Sequence, residues 1–91
     1  MTDLELFKAA KRISGLKQPQ IALLSGKSLD AIQSYESGRL PVKEIVFKVL
    51  LEKIISDLQD PDNMPEIIND MVKKLSRKVA ADKKKLKNHK E

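Results

Sequence analysis

Residues 18–37 read QPQIALLSGKSLDAIQSYES, a pattern that predicts two short helices joined at a tight corner. Gly26 permits the positive backbone φ that such a corner needs. Ser28 is a favourable N-cap for the second of the two helices. Ile32 and Tyr35 follow three residues apart and are predicted to face inward, which leaves the opposite face of that helix free for a partner.

Helical patterning continues on both sides of this stretch. Thr2 followed by Glu5 fits a capping box and predicts a first helix near residues 3–14. A longer helix is predicted over residues 42–58, and a fifth helix begins at Glu66 after a break rich in Asp and Pro. No segment alternates with the period of a strand, so the sequence predicts an all-α fold of five helices.

Composition limits the classes of function. The chain has 91 residues, enough for one modest core, and a formal charge of +5 that favours an anionic partner. It has no cysteine, and its one histidine, His89, lies in a charged tail, so we expect no metal and no cofactor. No apolar run approaches the roughly 20 residues that span a bilayer, and no signal-peptide pattern is present. We therefore expect a soluble cytoplasmic protein with no membrane partner.

The sequence resembles the Cro/XRE helix-turn-helix family, which includes the lambdoid phage repressors, over about residues 5–55. Small, apolar, Gln, Gly and Glu positions all fall in one register. The resemblance implies a lambda-repressor-like DNA-binding domain in which the second and third helices form the helix-turn-helix. The segments that carry it are Gly15-Leu16-Lys17-Gln18, Ile21-Ala22-x-Leu24-Ser25-Gly26-x-Ser28 and Ile32-x-x-Tyr35-Glu36-x-Gly38-Arg39.

The resemblance also implies roles for single positions. Gln18 corresponds to a glutamine that contacts a DNA phosphate and braces the third helix. Lys11 and Glu36 fall where the family often has a buried Arg–Glu pair, although a lysine cannot form the planar bidentate pair. The implied base-reading positions are Leu29, Asp30, Gln33 and Ser34. The positions implied to contact the DNA backbone, which fix register without reading sequence, are Gln18, Lys27, Ser28 and Arg39.

The acidic residue in the reading helix has two interpretations. Asp30 can accept a hydrogen bond from a cytosine amino group. It can equally be a carboxylate in the first helical turn, where the helix dipole favours negative charge. The sequence leaves both open.

The predicted organisation is a DNA-binding domain over residues 1–60, a C-terminal helix over residues 61–80 and a disordered basic tail over residues 81–91. The apolar stripe of the C-terminal helix has two possible partners, either the monomer's own core or a second copy across a two-fold axis. The stripe is wider than one small domain needs, and we favour a dimer interface. Its members are Ile68, Met71, Val72, Leu75 and Val79.

The expected function is a dimeric, sequence-specific repressor that binds double-stranded DNA, encoded by a mobile element or controlling its own operon. The alternative is an antitoxin that shares the same helix-turn-helix and uses the C-terminal helix to bind a toxin protein. We expect no enzyme, because the sequence has no phosphate-binding glycine loop. It also offers no nucleophile, base and orienting group that form a set.

Overall fold

The computed structural model describes the backbone of residues 1–90 and the side chains of residues 1–79 other than Pro61. In this part of the chain the fold is all-α, with one short 3₁₀ turn at Pro61–Asn63 and no strand, as the sequence predicts. The helices are α1 (Asp3–Ser14), α2 (Gln18–Ser25), α3 (Leu29–Glu36), α4 (Glu44–Ser56) and α5 (Glu66–Lys90).

The first helix begins with the predicted capping box. The Thr2 hydroxyl accepts a hydrogen bond from the Glu5 N–H at 3.1 Å, and the Glu5 carboxylate accepts one from the Thr2 N–H at 2.8 Å. Two donors that the helix would otherwise leave unpaired are thereby satisfied. The hydrogen bond from the Thr2 backbone, followed by that from its side chain, lowers the pKa of the Glu5 carboxyl.

Helix α4 lies at the centre of the core, where it packs against α1, α2 and α5, while α3 packs against α1 and α2. The apolar side chains Val46, Val49, Leu50 and Ile54 of α4 are buried, whereas Ile45 is exposed. Among the described side chains, the largest that are fully buried are Phe7, Ile21, Ile32, Val46, Phe47, Leu50 and Leu75.

The apolar stripe of α5 belongs to the same core. Met71 and Leu75 are 4% and 0% exposed, so the prediction that they form a dimer interface is wrong. Ile68, Val72 and Val79 are partly buried and pack against the core as well. The physical reason is that α5 lies along α4 and α1 and supplies the apolar cover that those helices need.

The helical backbone of α5 continues to Lys90. Side chains after Val79 lie outside the described part of the chain, and the tail predicted for residues 81–91 falls on them. That tail stays a prediction, as does the domain boundary near residue 60. No helix of the described residues combines the length and the apolar character that crossing a membrane would require.

Candidate nucleic-acid interface

The corner between α2 and α3 is built from hydrogen bonds and one left-handed residue. Gly26 ends α2 with φ of 72°, and the Lys27 N–H donates to the Ala22 carbonyl at 3.0 Å. A side chain at Gly26 would meet no atom within 4 Å, so glycine is required there by the backbone conformation alone. The Ser28 hydroxyl then accepts from the Ala31 N–H at 3.0 Å, and only residues 26–28 separate α2 from α3.

Helix α3 has one buried and one exposed face. Ile32 and Tyr35 are buried in the core, as predicted. Leu29, Asp30 and Gln33 are exposed, and their spacing of one and four residues places them on one side of the helix. Three of the four residues implied to read bases are therefore gathered on a single outward face.

Ser34, the fourth of those residues, points inward. It is 3% exposed, so the prediction that it contacts a base is wrong. The chain reverses after α3 at Gly38, with φ of 84°, and folds back over this residue. The Ser34 carbonyl accepts from the N–H groups of Arg39 and Leu40 at 2.9 Å and 3.2 Å. The burial of Ser34 is thus imposed by the path of the α3–α4 loop.

The same reversal fixes an exposed cation beside α3. The Arg39 guanidinium donates from Nη2 to the Ser34 hydroxyl at 2.5 Å. Among the described side chains, no carboxylate pairs with Arg39. Its remaining guanidinium donors are available to an anion next to the outward face. Ser34 therefore has a positioning role for a residue implied to contact phosphate.

Glu36 joins three helices at the other edge of α3. Its carboxylate accepts from Gln18 Nε2 of α2 at 2.9 Å and lies 3.4 Å from Lys11 Nζ of α1. The arrangement corresponds to the implied brace from Gln18 and the implied tie from Lys11. Because the lysine offers a single point charge rather than a planar fork, its contact is longer than a bidentate pair would be.

A shallow basic groove lies where α1 ends and α2 begins. Its charged lining consists of Lys8, Lys11, Arg12 and Lys17, with Glu36 as the only carboxylate in it. Sequence reasoning missed Lys8, Arg12 and Lys17 as site residues. The signal that was present is the spacing of Lys8 and Arg12, four residues apart on α1, which places them on one side of that helix. The groove gives the N-terminus of α2, where Gln18 lies, a positive surrounding.

The described residues contain no group of three His, Cys, Asp or Glu side chains that would hold a metal ion. No protein-family model matches the chain, and no curated protein or solved structure matches it.

Proposed function

We propose that the protein is a sequence-specific regulator of transcription that binds double-stranded DNA as a dimer through α3. The observation that carries the proposal is the outward face of α3, which is formed by Leu29, Asp30 and Gln33. Helices α1 and α2 pack against α3 and hold it in position. A helix that reads base edges must project polar side chains from a fixed position, because the major groove accepts one helix and specificity depends on donor and acceptor geometry.

The surroundings of α3 supply what such a helix needs on either side. Arg39 lies at one end of the helix, and the basic groove with Gln18 lies beside α2. Contacts from such groups to phosphates orient a reading helix without carrying sequence information. Lys27 and Ser28, at the start of α3, are proposed as further backbone contacts. This distribution fits a duplex lying across the α2–α3 corner.

The residue types of the outward face suggest what is read. Gln33 can donate to and accept from adenine in a bidentate pair, and Leu29 can touch a thymine methyl group. Asp30 contributes either an acceptor for cytosine or a carboxylate that favours the helix N-terminus. A single helix of this kind covers only a few base pairs, so a symmetric dimer on a palindromic site is expected.

The experiment that tests the proposal is selection of bound duplexes from a random pool, followed by titration of the selected site with the full chain. Gln33→Ala is expected to lower discrimination at one base position by about 1–3 kcal/mol. Gln59→Ala is the matched control, because Gln59 is also exposed but lies after α4. Binding that shows no sequence preference, or a preference that Gln33→Ala leaves unchanged, contradicts the proposal.

The alternative function is an antitoxin that uses the C-terminal helix, α5, to bind a toxin protein. Met71 and Leu75 of α5 are buried within the monomer, so they offer no surface to such a partner. We therefore retain DNA binding as the single proposed function.

A further inference from the structure

The outward side of α4 carries an unusual arrangement of side chains. Ile45, Lys48, Glu52 and Ile55 follow one another at spacings of three, four and three residues, which places them along one line on the helix surface. We call these four residues the outer α4 face. All four are exposed, and the two isoleucines at its ends are 38% and 46% exposed although the other apolar side chains of the helix are buried.

The two charged residues of this face are available for a partner. Among the described side chains, neither Lys48 nor Glu52 forms an ion pair. They lie four residues apart on one helix, but a lysine that precedes a glutamate is the weaker orientation for pairing within a helix. Both charges can therefore be satisfied from outside the monomer.

The outer α4 face is complementary to itself when a second copy is placed antiparallel. The midpoint of the face falls at residue 50, between Lys48 and Glu52. A two-fold axis at that point brings Lys48 of one copy opposite Glu52 of the other, twice. The same axis brings Ile45 opposite Ile55, also twice. One two-fold rotation therefore pairs the isoleucines with each other and each lysine with a glutamate, as an isologous interface requires.

Two shallow grooves adjoin the outer α4 face among the described residues. One lies between α4 and Leu24 of α2, and the other lies between α4 and Val79 of α5. The spacing of three and four residues is also the spacing with which two helices pack side by side, with each residue entering the surface of its partner. The face runs from Ile45 to Ile55, about 15 Å along the helix.

We propose that the outer α4 face is the homodimer interface of this protein, with two copies of α4 packed antiparallel. The need for a symmetric dimer rests on the proposed function, whereas the complementarity of the face does not. Because four side chains on one helix cover much less than the roughly 800 Å² per partner of a standard interface, self-association is weak and depends on concentration.

The test is sedimentation equilibrium of the full chain without DNA, from about 1 µM to about 1 mM. The wild-type average mass is expected to rise with concentration. Lys48→Glu and Glu52→Lys each place like charges opposite one another at two points, so each is expected to weaken self-association at least about 10-fold. An equimolar mixture of these two variants restores opposite charges at all points, and it is expected to associate at least as tightly as the wild type.

Lys73→Glu is the matched control for Lys48→Glu, since it makes the same change of net charge at an exposed position of α5 away from the outer α4 face. Circular dichroism verifies that all variants keep the helical content of the wild type. The inference is overturned by a wild type that stays monomeric throughout, by charge variants that associate normally, or by a control that weakens association equally. A chain that stays monomeric but binds DNA contradicts this inference and the dimeric part of the proposed function, and it leaves sequence-specific binding through α3 standing. A dimer that does not bind DNA contradicts only the proposed function.

Discussion

Replacing Glu36 tests how α3 is held in place. Its carboxylate accepts the hydrogen bond from Gln18 Nε2 at 2.9 Å and lies 3.4 Å from Lys11 Nζ. A hydrogen bond to a charged group contributes about 1.5–3 kcal/mol, and the long contact with the lysine adds about 0.5 kcal/mol. The Lys11 and Glu36 side chains are 24% and 28% exposed, so water recovers part of the loss after truncation. We expect Glu36→Ala to lower the free energy of unfolding by about 2 kcal/mol.

A loss of that size is measurable in a chain of this length. It corresponds to a fall of about 8–16 °C in the melting temperature, since each kcal/mol shifts a domain of 60–100 residues by about 4–8 °C. Glu36→Gln keeps an oxygen that accepts from Gln18 and removes only the charge. We expect it to cost less than about 1 kcal/mol. Urea denaturation of both variants beside the wild type gives the two values.

The control and the salt dependence separate the hydrogen bond from the ion pair. Glu66→Ala removes an exposed carboxylate from the first turn of α5 and is expected to cost less than about 1 kcal/mol. Salt at about 1 M screens the contribution of Lys11 but leaves the hydrogen bond from Gln18 largely intact. Two results would contradict a stabilising hydrogen bond between Gln18 and Glu36. One is a loss of unfolding free energy for Glu36→Ala no larger than that for Glu66→Ala. The other is that about 1 M salt abolishes the difference in stability between Glu36→Ala and the wild type.

Two further substitutions test the core and the corner. Leu75→Ala is expected to cost about 2–5 kcal/mol in urea, equally at every protein concentration, because Leu75 fills the monomer's own core. Ile67→Ala, on the exposed side of the same helix, should change stability by less than about 0.5 kcal/mol; a loss for Leu75→Ala that varies with concentration would point instead to an interface. Gly26→Ala should cost about 1–2 kcal/mol through backbone strain alone, whereas Gly26→Asn costs less because asparagine tolerates positive φ. Equal thermal denaturation midpoints for these two variants would argue against strain at the corner.

The ends and inner faces of the first three helices follow from local sequence. The capping box of Thr2 and Glu5, the left-handed Gly26 and the cap at Ser28 each involve residues within a few positions of one another. Such interactions form in the same way whatever surrounds the helix, so sequence is sufficient to predict them. The inward direction of Ile32 likewise follows from helical periodicity.

The path of a loop is not encoded in helical periodicity, and this explains the error at Ser34. Its place in α3 depends on a period of 3.6 residues, but its burial depends on how Arg39 and Leu40 return over it. Gly38 has the positive φ of a turn, but a glycine by itself does not determine the direction in which the chain returns. The sequence pattern of a helix does not show that the Ser34 hydroxyl will accept a hydrogen bond from Arg39, which lies five residues later in the loop.

The error on α5 has a physical cause. An amphipathic pattern shows that a face is covered, but the same pattern arises whether the cover comes from the same chain or from another. In α5 the apolar stripe around Leu75 was interpreted as intermolecular, and the monomer covers it. On α4, Ile45 and Ile55 remain exposed. The apolar stripe of α5 packs within the monomer. The outer α4 face is therefore the better surface for a second copy, because its apolar and charged positions match themselves under a two-fold axis.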